Sequence, residues 1–191
     1  MPRTTTGAKD RIIASAVKLL RQGGLASAGL NDVLMDAQAP RGSLYHYFPR
    51  GKGQMVEEAL QSYRDLVAAQ LTDALSPGKS LDARIDTLFD NVGRRLAATE
   101  FLESCAVGAV ALDLRGGDDL LRTACQSILD QWAHVAAECF TELPSRNRAT
   151  AGRTLVAVLE GAQLMARAHR NDGPLREAAG VFKAYVHSLR P

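Results

Sequence analysis

The sequence predicts an all-α chain of about nine helices, three short ones in a head and about six longer ones in a body. Three observations carry that reading. Apolar residues recur three and four apart in almost every segment, the period of a helix with one buried face. Proline and glycine cut the chain into helix-length pieces. No segment alternates cleanly at period two, and no Asn-Gly hairpin signal occurs.

Ile12, Ile13, Ala16, Val17 and Leu20 mark the first helix, with Thr6 placed to cap it and Gly23-Gly24 to end it. A short segment follows with Leu30, Val33 and Leu34 on one side. Ala37-Gln38-Ala39-Pro40 interrupts the chain, and a third short helix runs from about Arg41 to Tyr47. Pro49-Arg50-Gly51 is the next break. A long helix comes next, from about Lys52 to Leu75, with Val56, Leu60, Tyr63, Val67 and Leu71 on its buried side. It would span about 36 Å. Ser76-Pro77-Gly78 stops it, and Ser80 caps a helix carrying Ile85, Leu88, Phe89, Val92 and Leu96. Leu102, Cys105, Ala106, Ala109 and Leu112 predict another, ended by Gly116-Gly117. Asp118-Asp119 suit the next helix start, where carboxylates favour the helix dipole. That helix carries Leu121, Cys125, Ile128, Trp132, Val135 and Cys139. Beyond Pro144, two helices fall near 145–170 and 174–189, joined by Asn171-Asp172-Gly173-Pro174. The long helix belongs to both head and body, so no flexible linker is expected.

The 191 residues are 46% hydrophobic and 23% charged, an ordinary globular composition with no run of 18 apolar residues to span a membrane. Met1-Pro2-Arg3-Thr4-Thr5-Thr6 leads into no apolar signal core, so a cytoplasmic chain is expected. Cys105, Cys125 and Cys139 show neither disulfide nor zinc-ligand spacing, which fits a reducing compartment. His134, His169 and His187 lack partners at ligand spacing, so neither a metal nor a cofactor is expected. No Gly-x-Ser-x-Gly, P-loop or Gly-x-Gly-x-x-Gly occurs, and no catalytic constellation supports an enzyme. Residues 1–52 hold eight Lys/Arg against three Asp/Glu, and the rest hold 15 against 18. A basic head on a mildly acidic body fits a nucleic-acid-binding head.

The informative stretch runs from Leu30 to Lys52. Two short helices meeting at a tight break have helix-turn-helix geometry. In the second, Leu44 and Phe48 serve the core, and the remaining side chains are polar. A major groove admits one α-helix, where Arg41, Ser43 and His46 can meet base edges or phosphates. Gly42 lets the backbone approach DNA. Tyr45 and Tyr47 carry hydroxyls suited to phosphate oxygens, although the ring of Tyr45 equally suits the head's small core. Lys52 opens the long helix, whose N-terminus also attracts phosphate.

Gln38-Ala39-Pro40-Arg41-Gly42-Ser43-Leu44-Tyr45-His46-Tyr47-Phe48 closely resembles the recognition segment of the tetracycline-repressor (TetR) family of bacterial regulators. The resemblance covers roughly residues 8–60. Pro40 to His46, the glycine in Pro49-Arg50-Gly51-Lys52, and Ser104 to Leu112 look like the LmrA/YxaF-type subgroup, with Ala106 where that subgroup often has proline. The resemblance implies a DNA-binding head at 1–51 and an effector-binding and dimerisation body at 52–191. It implies a homodimer on a palindromic operator, contacted by Ser27, Arg41, Gly42, Ser43, Tyr45, His46, Tyr47 and Lys52. Gly29 stands where the family often has Thr. A small hydrophobic effector would occupy a body pocket, for which Phe101, Cys105, Trp132 and Met165 are candidates. Trp132 suits the core as well as a pocket wall, and Cys105 suits a small buried hydrophobe. Residues 155–168 are apolar on most sides, broken mainly by Glu160, Gln163 and Arg167 on one face. With the resemblance, which implies that the last two helices pair across the dimer, this pattern makes a seam of Ala157, Gly161, Ala162, Leu164, Ala168, Phe182 and Tyr185 the expectation. The expected function is a ligand-responsive regulator, most simply a repressor; the alternative is a helical small-molecule-binding protein without operator recognition.

Overall fold

The computed structural model describes residues 7–190. Among them are nine helices and no strand: α1 (Ala8–Ser27), α2 (Leu30–Asp36), α3 (Gly42–Tyr47), α4 (Lys52–Ala74), α5 (Leu81–Ala97), α6 (Ala106–Asp113), α7 (Asp119–Cys139), α8 (Ser145–His169) and α9 (Gly173–Ser188). Two compact units emerge. The first holds the described residues up to Tyr63 together with Ala106–Cys125; the second holds Arg64–Cys105 and the residues from Gln126 on. These packing units are drawn differently from the division expected at 51/52. Among the described residues, no helix is long and apolar enough to cross a membrane.

In the first unit, Ile12, Ala16 and Leu20 of α1 are completely buried, and α1 packs chiefly on α6 and α2. Thr6, the expected cap, lies outside the described residues; Gly7 occupies the N-cap position. The Gly23-Gly24 break falls where expected, as a kink rather than an end. Gly24 takes φ +62°, and one further turn runs on to Ser27. α2 is pinned to α1 through Asp36. Its carboxylate accepts from the buried Ser15 hydroxyl at 2.7 Å and from Lys18 at 2.6 Å, and these bonds hold its pKa below the ordinary range. Gln38 at φ +49° turns the chain between α2 and α3, closed by the Ala39 amide on the Leu34 carbonyl.

In the second unit, α8 lies along α9 and both pack on α5. Ser80 caps α5 as expected, its hydroxyl accepting from the Ala83 amide at 3.3 Å. Phe140 and Phe182 stack at 6.0 Å in the core. α8 crosses α7 so closely at Gly152 that a Cβ there would meet the Ala133 carbonyl oxygen at 2.1 Å. Arg84, only 1% exposed, donates to the Leu75 and Cys139 carbonyls and to the Glu142 carboxylate. It therefore ties together the chain ends that follow α4 and α7.

One helix departs from its apolar pattern. Leu102 and Cys105 precede α6, which begins at Ala106, and Leu102 and Leu112 are exposed. Glu100 and Phe101 both adopt left-handed backbone, φ +51° and +60°, after the C-terminus of α5. The Phe101 amide closes that turn on the Leu96 carbonyl at 2.8 Å.

Candidate nucleic-acid interface

Leu44 and Phe48, one helical turn apart, are 3% and 0% exposed and anchor α3 in the first unit's core. That anchoring dictates what faces out. Arg41, Gly42, Tyr45 and His46 are exposed, and Ser43 and Tyr47 are half-buried. Tyr45 is 70% exposed, so its ring does not serve the core. His46 and Tyr47 meet edge to face at 4.8 Å. Among the described residues, the side chains of Arg41, Ser43, Tyr45 and His46 make no hydrogen bond.

Gly42 has nothing within 4 Å of the position a Cβ would take. Gly42→Ala therefore fits the free protein, and ordinary helix propensity favours it by about 0.5–1 kcal/mol. Its melting temperature should hold or rise while operator affinity falls about tenfold; an unaltered affinity would show that the backbone at Gly42 does not approach DNA.

Ser27 is the last residue of α1, half-buried, with its hydroxyl folded over Gly23. Lys52 opens α4, and its ammonium donates to the Leu25 carbonyl at 2.6 Å, leaving two N–H groups for other partners. On the other side of the same residue, the Leu25 amide donates to the Asp113 carboxylate of α6 at 2.7 Å. Nothing in the local sequence pattern marks Asp113. The bond joins residues 88 apart in the chain.

The expected pocket residues separate. Trp132 is 2% exposed, with its indole N–H on the Arg64 carbonyl at 3.0 Å, and Cys105 is 3% exposed. Phe101 is half-buried, whereas Met165 is 51% exposed beside Leu164. A cleft of about 160 Å³ in the second unit, lined in part by Phe89, Arg94, Asp172 and Arg176, includes none of the four. The expected seam residues divide likewise. Ala157, Gly161, Leu164 and Ala168 are exposed on α8, and Tyr185 is half-buried on α9. Ala162 and Phe182 are 5% and 1% exposed, packed in their own protomer, and have almost no surface to offer a partner.

The polar stripe of α8 has an unexpected counterpart. Arg167 donates to the Ser104 hydroxyl at 3.2 Å, and Glu160 shares a hydrogen bond with Cys105. Burial pushes the Glu160 carboxyl above its ordinary pKa of 4.5, and the Cys105 bond only partly opposes this. The native protein thus holds this proton more tightly than the unfolded chain. Stability is unpenalised below the unfolded pKa and falls as pH rises through the folded one. Glu160→Gln, which keeps an acceptor for Cys105, should raise the melting temperature at about pH 8 and match the parent at about pH 4. Parallel stability curves for the two proteins would show that Glu160 carries no such penalty.

Among the described residues, no group of three or more His, Cys, Asp or Glu is placed to hold a metal ion. What the geometry offers is a short helix with an anchored apolar side and an outward, cation-bearing polar side, set behind a tight turn from a second short helix. That arrangement defines a helix-turn-helix DNA-binding protein.

Known proteins agree with it. Residues 12–59 match the model of bacterial regulatory proteins of the tetR family, and residues 82–181 match the C-terminal domain of LmrA/YxaF-like transcriptional regulators. The uncharacterized HTH-type transcriptional regulator Rv0196 of Mycobacterium tuberculosis (strain ATCC 25618 / H37Rv) is 32% identical, over 88% of this chain and 89% of that protein. The HTH-type transcriptional regulator LmrA of Bacillus subtilis (strain 168) is 28% identical, over 87% of this chain and 90% of its own. The crystal structure of regulatory protein TetR from Rhodobacter sphaeroides superposes with a TM-score of 0.83 at 25% identity, covering 92% of this chain and 96% of that one. The chain belongs to the TetR family, with a body of the LmrA/YxaF-like type. It is a DNA-binding transcriptional regulator of a family whose members are typically ligand-responsive repressors. A binding protein without operator recognition is not favoured.

Proposed function

We propose that this regulator acts in the cytoplasm as a homodimer, with a DNA-binding head at residues 1–51 and an effector-binding and dimerisation body at 52–191. Each protomer lays α3 in a major groove of one half of a palindromic operator. A small hydrophobic effector in the body then favours a state of the heads that no longer fits the operator, with a coupling of about 1–3 kcal/mol. The observation that carries this reading is the outward set of Arg41, Tyr45 and His46 beside the half-buried Ser43, none of whose side chains makes a hydrogen bond among the described residues. Phosphate contacts from Ser27, Tyr47 and Lys52 supply position and salt-dependent affinity, and the α3 side chains supply sequence choice.

The self-association surface is the exposed side of α8 and α9. Ala157, Gly161 and Ala168 let a partner helix approach closely, and the exposed Leu164 and Val181 supply apolar area. Selection of duplexes from a random library tests the whole reading. An enriched inverted repeat bound by two protomers is expected; enrichment of no sequence would reject operator recognition. Lys52→Ala should weaken binding to all sequences alike and lower the salt slope by about one for each phosphate no longer neutralised. An unchanged slope would show that Lys52 neutralises no phosphate.

A further inference from the structure

The kink of α1 is gripped from two sides at a single residue. The Leu25 amide donates to the Asp113 carboxylate at 2.7 Å, and the Leu25 carbonyl accepts from the Lys52 ammonium at 2.6 Å. Asp113 is the last residue of α6, and Lys52 is the first of α4. The same carboxylate fills the space beside Gly24. A Cβ on Gly24 would lie 2.2 Å from Asp113 Oδ2, and the backbone there stands at φ +62°. Gly24 therefore answers to two demands at once, a left-handed turn and the close approach of this carboxylate. Four residues beyond Leu25, Gly29 occupies the N-cap of α2, where it brings no side-chain hydrogen bond to the helix start. The 23–27 turn therefore leads straight into the start of α2, whose far end Asp36 pins to Ser15 and Lys18 of α1.

We propose that Asp113 is a positioning residue for operator binding: by holding the Leu25 amide it lets α6 fix the end of α1, and with it the pose in which α2 and α3 meet DNA. The proposal rests on α3 being the recognition helix. Asp113 itself touches no base or phosphate. α6 follows directly in the chain from Glu103-Ser104-Cys105, the segment to which Glu160 and Arg167 of α8 attach.

The test compares Asp113→Ala with Asp113→Asn in the full-length protein, using the duplex that the parent protein enriches from a random library. Asn keeps an acceptor oxygen for the Leu25 amide; Ala does not. Operator affinity should fall about tenfold for Asp113→Ala and stay within about threefold for Asp113→Asn. The salt slope should be unchanged in both, because every phosphate stays neutralised as in the parent. Hydrogen exchange at the Leu25 amide should accelerate in the Ala variant alone. Equal affinity in all three proteins would overturn the proposal. So would a loss in Asp113→Ala that tracks a melting temperature lowered by more than about 5 °C, since the effect would then be general destabilisation. Failure of the parent protein to enrich any duplex would instead reject the recognition-helix reading, and this proposal with it.

Discussion

Arg41→Ala should weaken specific operator binding by roughly 30-fold or more and leave the fold intact. Arg41 stands at the N-cap of α3, exposed, and makes no side-chain hydrogen bond among the described residues. Its removal leaves no buried partner unpaired, so the melting temperature should move by less than about 2 °C. On DNA the guanidinium fork fits a guanine edge, and each good bidentate pairing is worth about 1–3 kcal/mol of discrimination. A symmetric dimer makes two such pairings, so the loss should reach about 2–6 kcal/mol, a weakening of roughly 30-fold or more. Binding to random duplex should fall far less, because that term comes from phosphate neutralisation. Titration of specific and random duplexes by fluorescence anisotropy separates the two. Equal losses on both would make Arg41 a phosphate ligand, and unchanged affinity would remove it from the interface.

Gly152→Ala should produce the largest loss of stability from adding a single methyl group. The new Cβ would lie 2.1 Å from the Ala133 carbonyl oxygen and 3.1 Å from the Ala137 Cβ. The obstacle is helix backbone, which cannot rotate away as a side chain would. α7 and α8 must separate, opening the packing around Leu155 and Ala151, both fully buried. Overpacking of this kind costs about 1–3 kcal/mol and occasionally more. At this chain length that corresponds to a fall in melting temperature of roughly 2–12 °C. Gly53→Ala is the matching control: Gly53 lies in α4 with nothing within 4 Å of its Cβ position, and the substitution should be neutral or slightly stabilising. Similar melting temperatures for Gly152→Ala and Gly53→Ala would show that α7 and α8 do not cross this closely.

The recognition helix was readable in the sequence because its signal is local. Polar residues at 41, 43 and 46 around an apolar pair one turn apart leave a six-residue helix one way to sit. Helix positions were readable for the same reason: Ser80, Pro144 and the run from Asn171 to Pro174 act within a turn of where they stand. What the pattern did not carry was which faces meet at long range. Nothing in the local pattern marks Arg84 as buried, yet the Leu75 and Cys139 carbonyls and the Glu142 carboxylate hold it in the core. Phe182 reads as a seam aromatic, but Phe140 claims it for the core. Met165 is a pocket candidate through the family resemblance, and α8 turns that residue outward. Leu102 extends the helical spacing, but α6 begins only at Ala106, because the left-handed pair at Glu100 and Phe101 breaks the chain there with neither a glycine nor an asparagine signal.

Methylation interference at guanine N7 on the selected operator tests the central claim most directly, because N7 lies on the major-groove edge that α3 is proposed to read. Guanines in each half of the repeat should block the parent protein when methylated, in a pattern related by the dyad of the site. Arg41→Ala should lose its sensitivity at one guanine per half. Binding indifferent to N7 methylation across both halves, with strong protection of the minor groove instead, would contradict the placement of α3 in the major groove.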